Sequence, residues 1–193
     1  LLAMSLLIMY KRFLDSSTSG LEQPMIFFLS ALFIKFVYQS ELTKNRAYAA
    51  VAVSVAVALT RTDCILLFIP TLIVIALKYR SAKFFLMSIA IASPLLLWHI
   101  FSLFYYGFLA PNTAFVKLGH GLPKSMIFEQ GLFYLADSIK VDPITLSTIA
   151  AGMLSTVFPR SRKYAPLSIG VLLYIIYIIY IGGDFMSGRF FAV

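Results

Sequence analysis

The sequence predicts an all-α protein: a polytopic transmembrane helical bundle with an extracytoplasmic loop that holds short interfacial helices. Three observations carry this. Of 193 residues, 61% are hydrophobic and only 12% charged, well beyond the balance of a soluble domain. The apolar residues fall into long blocks separated by short polar stretches. The basic residues, finally, collect in alternate inter-block loops.

The blocks define spans at about 1–10, 21–39, 47–60, 64–77, 84–106, 143–158 and 165–181, all within one membrane domain covering 1–193. The first block opens at Leu1 without an initiator Met, and another begins near Phe190. Both ends of the chain are therefore expected to be truncated. Lys35, Lys44, Arg46, Lys78, Arg80, Lys83, Arg160, Arg162 and Lys163 fall on one side of these spans, with Glu41 as their one acid. The other side carries Lys11, Arg12, Arg61, Lys117, Lys124, Lys140 and Arg189 against seven acids. Positive charge is retained on the cytoplasmic side, so the first set faces inward. The net charge of +8 is then a matter of topology and gives no reason to expect nucleic acid as a partner. Lys11 and Arg12 run against this layout.

With that orientation, the chemically unusual segments all face outward. The first holds Ser19 and Glu22 at capping-box spacing, with Pro24 suited to a first helical turn. Glu22 either caps a helix or faces a cavity at the bilayer edge. The second, Arg61-Thr62-Asp63, joins two apolar blocks that each reach only ~21 Å, short of a ~30 Å hydrocarbon core. The tip is expected to be recessed, with Arg61 and Asp63 paired, in contact with a ligand, or both. Cys64, the single cysteine, follows in an apolar run and is expected to be a buried thiol.

A long block containing Pro94 and His99 ends at Tyr105-Tyr106-Gly107. His99 is expected to hydrogen-bond a neighbouring helix. Pro111-Asn112-Thr113 comes next, where Asn112 can cap a short helix that presents Lys117 outward. Residues 126–140 then place Phe128, Leu132, Leu135, Ala136 and Ile139 on one helical face. This pattern suits the membrane interface or docking on protein. Tyr174, Tyr177 and Tyr180 recur every three residues, for helix packing or for stacking on sugar. The last segment, Gly182 to Arg189, combines three glycines with Asp184 and Arg189. The glycines permit positive φ and close backbone approach.

Four segments together resemble a known family. They are Phe13-Leu14-Asp15 with Thr18-Ser19-Gly20-Leu21-Glu22; Leu59-Thr60-Arg61-Thr62-Asp63; Tyr105-Tyr106-Gly107 with Pro111-Asn112-Thr113 and Lys117; and Gly182-Gly183-Asp184-Phe185-Met186 with Arg189-Phe190. In order and spacing they resemble bacterial membrane glycosyltransferases of the GT-C fold, in the terminal arabinofuranosyltransferase-like branch. Thr62 stands where that family often has proline. The resemblance implies a polyprenyl-phosphate-linked sugar as donor, an envelope glycan or lipid as acceptor, and residence in the bacterial inner membrane with an extracytoplasmic active face. It also implies a catalytic carboxylate in a first outer loop, upstream of Leu1. On this reading Arg189, Asp184, Lys117, Asn112, Arg61, Asp63 and Glu22 bind substrate. Lys117, Arg189 and Arg61 are the cations available to stabilise a phosphate leaving group. Asp184 could orient Arg189, contact the acceptor or hold a divalent metal. The alternatives are a transporter or lipid flippase of envelope precursors, and a non-catalytic membrane subunit of an envelope-assembly complex.

Overall fold

The computed structural model describes residues 11–18, 20–109, 121, 123–184, 186 and 188–193. The expected span at 1–10 lies outside them. Among the described residues there is no strand, and the chain is helical nearly throughout. The α-helices are α1 (Lys11–Thr18), α2 (Gln23–Tyr38), α3 (Lys44–Thr60), α4 (Ile69–Lys78), α5 (Ala82–Tyr106), α6 (Lys124–Val141), α7 (Pro143–Ser155) and α8 (Ala165–Tyr180). Two 3₁₀ segments, Thr62–Leu67 and Pro159–Tyr164, lead into α4 and α8.

Helix boundaries follow local chemistry. Pro24 occupies the first turn of α2, where its missing N–H goes unneeded. The Thr43 hydroxyl accepts from Arg46 N at 3.4 Å to start α3, and Ser81 caps α5 by accepting from Phe84 N at 3.2 Å. Asp142 opens α7 by accepting from both Thr145 N (3.1 Å) and Thr145 Oγ1 (2.9 Å). Gly107 closes α5 in the left-handed conformation, φ 76°. The block expected at 64–77 is not one helix. Pro70 cannot continue a preceding helix, so a 3₁₀ segment ends at Leu67 and an α-helix restarts at Ile69. The block expected at 143–158 stops at Ser155, ahead of Pro159.

Among the described residues two helices are long and apolar enough to cross a membrane: α5, and the continuous segment Pro159–Tyr180. Gln23–Tyr38, Ile69–Lys78 and Pro143–Ser155 are apolar but shorter. Along α5 only Phe84 and Ser102 are buried, while Leu86, Leu97 and Phe104 are largely exposed. Among the described residues His99 hydrogen-bonds within its own helix, not to a neighbouring one. Its Nδ1 donates to the Leu95 carbonyl of its own helix at 2.8 Å.

The core forms where α2 and α3 run antiparallel. Ile26, Leu29 and Phe33 pack with Ala47, Ala50, Val53 and Val57, and Cys64, Phe68, Ile75, Tyr174 and Ile178 close over them. The small side chains of α3 let the backbones approach closely, as at membrane helix interfaces. Gly170 of α8 meets the Leu67 backbone in the same way: a Cβ there would lie 2.0 Å from the Leu67 carbonyl oxygen.

The bundle has two chemically different ends. At one, Lys78 Nζ (3.2 Å) and Tyr79 Oη both donate to the Leu42 carbonyl. Arg46 Nε donates to Phe36 O at 2.9 Å, and the Tyr38 ring packs 5.0 Å from that of Tyr164. The loops at 39–43, 79–81 and 159–164, which together with the adjoining helix ends carry the clustered cations, are thereby gathered together. At the opposite end lie the start of α2, the α3–α4 connection and the segment after α8, with α6 packed beside them. The buried face of α6 is Gly131, Tyr134 and Ser138. The apolar face expected from the sequence is instead mostly outward, with Phe128, Leu132 and Ile139 exposed.

Candidate functional site

Five of the seven residues expected to bind substrate meet at this second end. Arg61, in the turn between α3 and the first 3₁₀ segment, is the centre. It grips Asp63 with two parallel hydrogen bonds, Nε to Oδ1 at 3.1 Å and Nη2 to Oδ2 at 2.6 Å. This fork-to-carboxylate geometry is the strongest form of such a pair. Its Nη1 lies 3.6 Å from Glu22 Oε1. The same Glu22 oxygen accepts from Arg189 Nη2 at 3.1 Å, and Arg189 Nη1 donates to Asp184 Oδ2 at 3.3 Å. A single chain of charge therefore runs from Asp63 through Arg61, Glu22 and Arg189 to Asp184. Three carboxylates thus share two guanidiniums.

The cluster is set into apolar surroundings. The Arg61 side chain is 10% exposed, and its guanidinium carbon stands 4.8 Å from the centroid of the Phe190 ring. Burial alone would lower the Arg61 pKa, but its hydrogen bond to Asp63 and the neighbouring groups reverse this and raise it above the usual arginine range. Arg61 is charged at any working pH. Glu22, 28% exposed, is the most open member, and Asp184, 4% exposed, the least.

A second layer holds the first. Tyr174 Oη donates to Asp63 Oδ2 at 3.3 Å and lies 3.4 Å from Arg61 Nη2 and 3.8 Å from Cys64 Sγ. Gln23 Nε2 donates to the Arg189 carbonyl at 3.4 Å. Tyr134 Oη donates to Met186 O (3.2 Å) and accepts from Phe190 N (3.2 Å), which ties the final loop to α6. Gly182, Gly183 and Gly188 all adopt positive φ, so this loop folds back as its glycines allow. Gly183 lies flat against the Tyr134 ring, where a Cβ would fall 2.4 Å from Cγ.

Two expectations need correction. Glu22 occupies the N-cap position of α2 but makes no capping hydrogen bond; its carboxylate is drawn to the arginines instead, because unpaired guanidiniums at this depth would be costly. Ser19, its expected capping partner, lies outside the described residues, as do Asn112 and Lys117. The tyrosines do not act as one face. Tyr174 is buried in the cluster while Tyr180 is 56% exposed, since a three-residue step drifts around a 3.6-residue helix. The residues that sequence reasoning missed are Gln23 and Tyr134, and Tyr174 as a partner of the charged groups. Phe190 was singled out only as part of the fourth segment, and the tyrosine spacing was the signal that pointed toward Tyr174.

Among the described residues no three His, Cys, Asp or Glu side chains are placed to hold a metal ion. Cys64 is fully buried. Three polar atoms around the cluster, Gln23 Oε1, Arg61 Nη1 and Arg189 Nε, are buried without a hydrogen-bond partner among the described residues. No protein-family model, curated protein or solved structure matches this chain.

Proposed function

We propose that this chain belongs to a polytopic inner-membrane glycosyltransferase of the GT-C type. It would move a sugar from a polyprenyl-phosphate donor to an extracytoplasmic envelope glycan or lipid. The observation that supports this best is the convergence of Glu22, Arg61, Asp63, Asp184 and Arg189, from segments far apart in the chain, at the end opposite the basic loops. In such a transfer the donor's phosphate gains negative charge as the glycosidic bond breaks, and preorganised cations favour that change. Arg189, with Lys117, is the proposed phosphate contact. Glu22 and Asp184 hold the Arg189 guanidinium in place, and its buried Nε–H has no hydrogen-bond partner among the described residues.

A non-catalytic subunit would use the same cluster as a structural clasp, and the ion pairs that both arginines make with carboxylates favour that second reading. Among the described residues Arg61 Nη1 and Arg189 Nε lack hydrogen-bond partners, which supports the first reading, because a finished clasp has no use for buried donors left unpaired.

Arg189 separates the two. In nanodiscs with a polyprenyl-phosphate sugar, Arg189→Lys should lower transfer about tenfold and Arg189→Ala about a hundredfold, since lysine keeps the charge but loses the planar fork. Normal turnover by folded Arg189→Ala would remove the proposal. Topology offers an independent check. Cys64 is buried and gives little background. Cysteines at Ser40, Ser81 and Ser161 should be shielded from impermeant thiol reagents in intact cells, whereas one at Ser125 should label. The reverse pattern would invert the orientation and discard the lipid-linked donor with it.

A further inference from the structure

A second site lies at the basic end of the bundle, away from the charged cluster. A cleft of about 360 Å³ opens where the C-terminus of α2, the end of α4 and the start of α8 meet. That volume is in the range of small-ligand sites. Its walls are apolar, with Val37, Leu42, Val74 and Ile75 among them, while Lys78 and Lys163 stand at it from two different elements. Tyr38 Oη and Thr71 Oγ1, 3.1 Å apart, add hydroxyls to the lining.

The two ammonium groups are unusual in having no carboxylate. Lys78 Nζ donates to the Leu42 carbonyl at 3.2 Å and lies 5.5 Å from the centroid of the Tyr79 ring, and Lys163 Nζ lies 4.9 Å from the centroid of the Tyr164 ring. Among the described residues neither forms an ion pair, in contrast to the opposite end, where every arginine of the cluster meets a carboxylate. Two unneutralised cations over an apolar cleft complement a molecule that is anionic at one end and apolar at the other.

We infer that this cleft binds the head group of an anionic phospholipid, with the phosphate between Lys78 and Lys163 and the adjoining acyl carbons along Val74 and Ile75. Basic pockets between membrane helices on the cytoplasmic side bind anionic head groups in this way, and the assignment rests on the membrane reading above. The phosphate chemistry alone would also suit free inorganic phosphate. The apolar walls favour the lipid, because a free anion gains nothing from them.

The test uses the whole chain in phosphatidylcholine nanodiscs, with phosphatidylglycerol added in increasing proportion and lipid retention read by native mass spectrometry. Phosphatidylglycerol should be retained at least tenfold over phosphatidylcholine. Lys78→Gln with Lys163→Gln should abolish that preference, while Lys83→Gln, an exposed cation at the same end, should leave it unchanged. Equal retention of the two lipids, or an unchanged preference in the double variant, would overturn the inference. So would inorganic phosphate competing at the same concentration as the lipid, which would make this a free-anion site. Failure of the chain to enter phosphatidylcholine bilayers would instead count against the membrane reading, so the two failures are distinguishable.

Discussion

Replacing Arg61 by glutamine is expected to destabilise the protein by about 3 kcal/mol, and Asp63→Asn by a similar amount. The two together should cost clearly less than their sum. Each single change leaves a charge that is no more than 16% exposed facing a partner that can no longer answer it. The double change removes both charges at once. A coupling of about 1–3 kcal/mol is the expected scale for side chains in direct contact. The effect should reach further than this pair, because Tyr174 donates to Asp63 and Glu22 bridges Arg61 to Arg189. Arg61→Gln should therefore also loosen the loop that carries Asp184 and Arg189. Thermal unfolding in detergent gives the energies, and proteolysis near Arg189 reads the loosening. Additive single effects would show that the two side chains do not meet in solution.

The second large effect is steric. Gly170→Ala should cost about 3 kcal/mol, at the upper end of what overpacking produces. The added Cβ would lie 2.0 Å from Leu67 O and 2.6 Å from Leu67 C. Both are backbone atoms, so no rotamer change relieves the clash. The 3₁₀ segment must move away from α8, taking Asp63 with it and parting Asp63 from Tyr174. Gly131→Ala should behave alike against the Ile179 backbone, 2.1 Å from its carbonyl oxygen. Gly152→Ala is the matched control. Nothing lies within 4 Å of its Cβ position, so the better helix propensity of alanine should leave stability unchanged or raise it by about 0.5–1 kcal/mol. Equal melting temperatures for all three variants would contradict the close approach of α8 to the α3–α4 connection.

The helical class, most helix positions and the separation of the charges were legible in the amino-acid pattern alone. Long apolar blocks punctuated by proline, glycine and capping residues leave few alternatives to helices; Pro24 acts through its fixed φ and missing N–H, and Ser81 and Gly107 through bonds to residues within four positions. The Arg61–Asp63 pair was legible for the same reason, since both side chains leave one short turn. Helix length was less legible. The block at 64–77 is apolar throughout, yet Pro70 divides it into two kinds of helix. Only the tertiary structure decided the partners of Glu22. Arg189, 167 residues away in the chain, meets it because the start of α2 and the segment after α8 lie at the same level of the bundle. Tyr174 joins the cluster because Gly170, one turn earlier on α8, lets that helix lie against the Leu67 backbone. Hydrophobic pattern records which residues avoid water, but not which buried charge will find another. That choice depends on how closely the helices can approach, and here it rests on a few positions that lack a side chain.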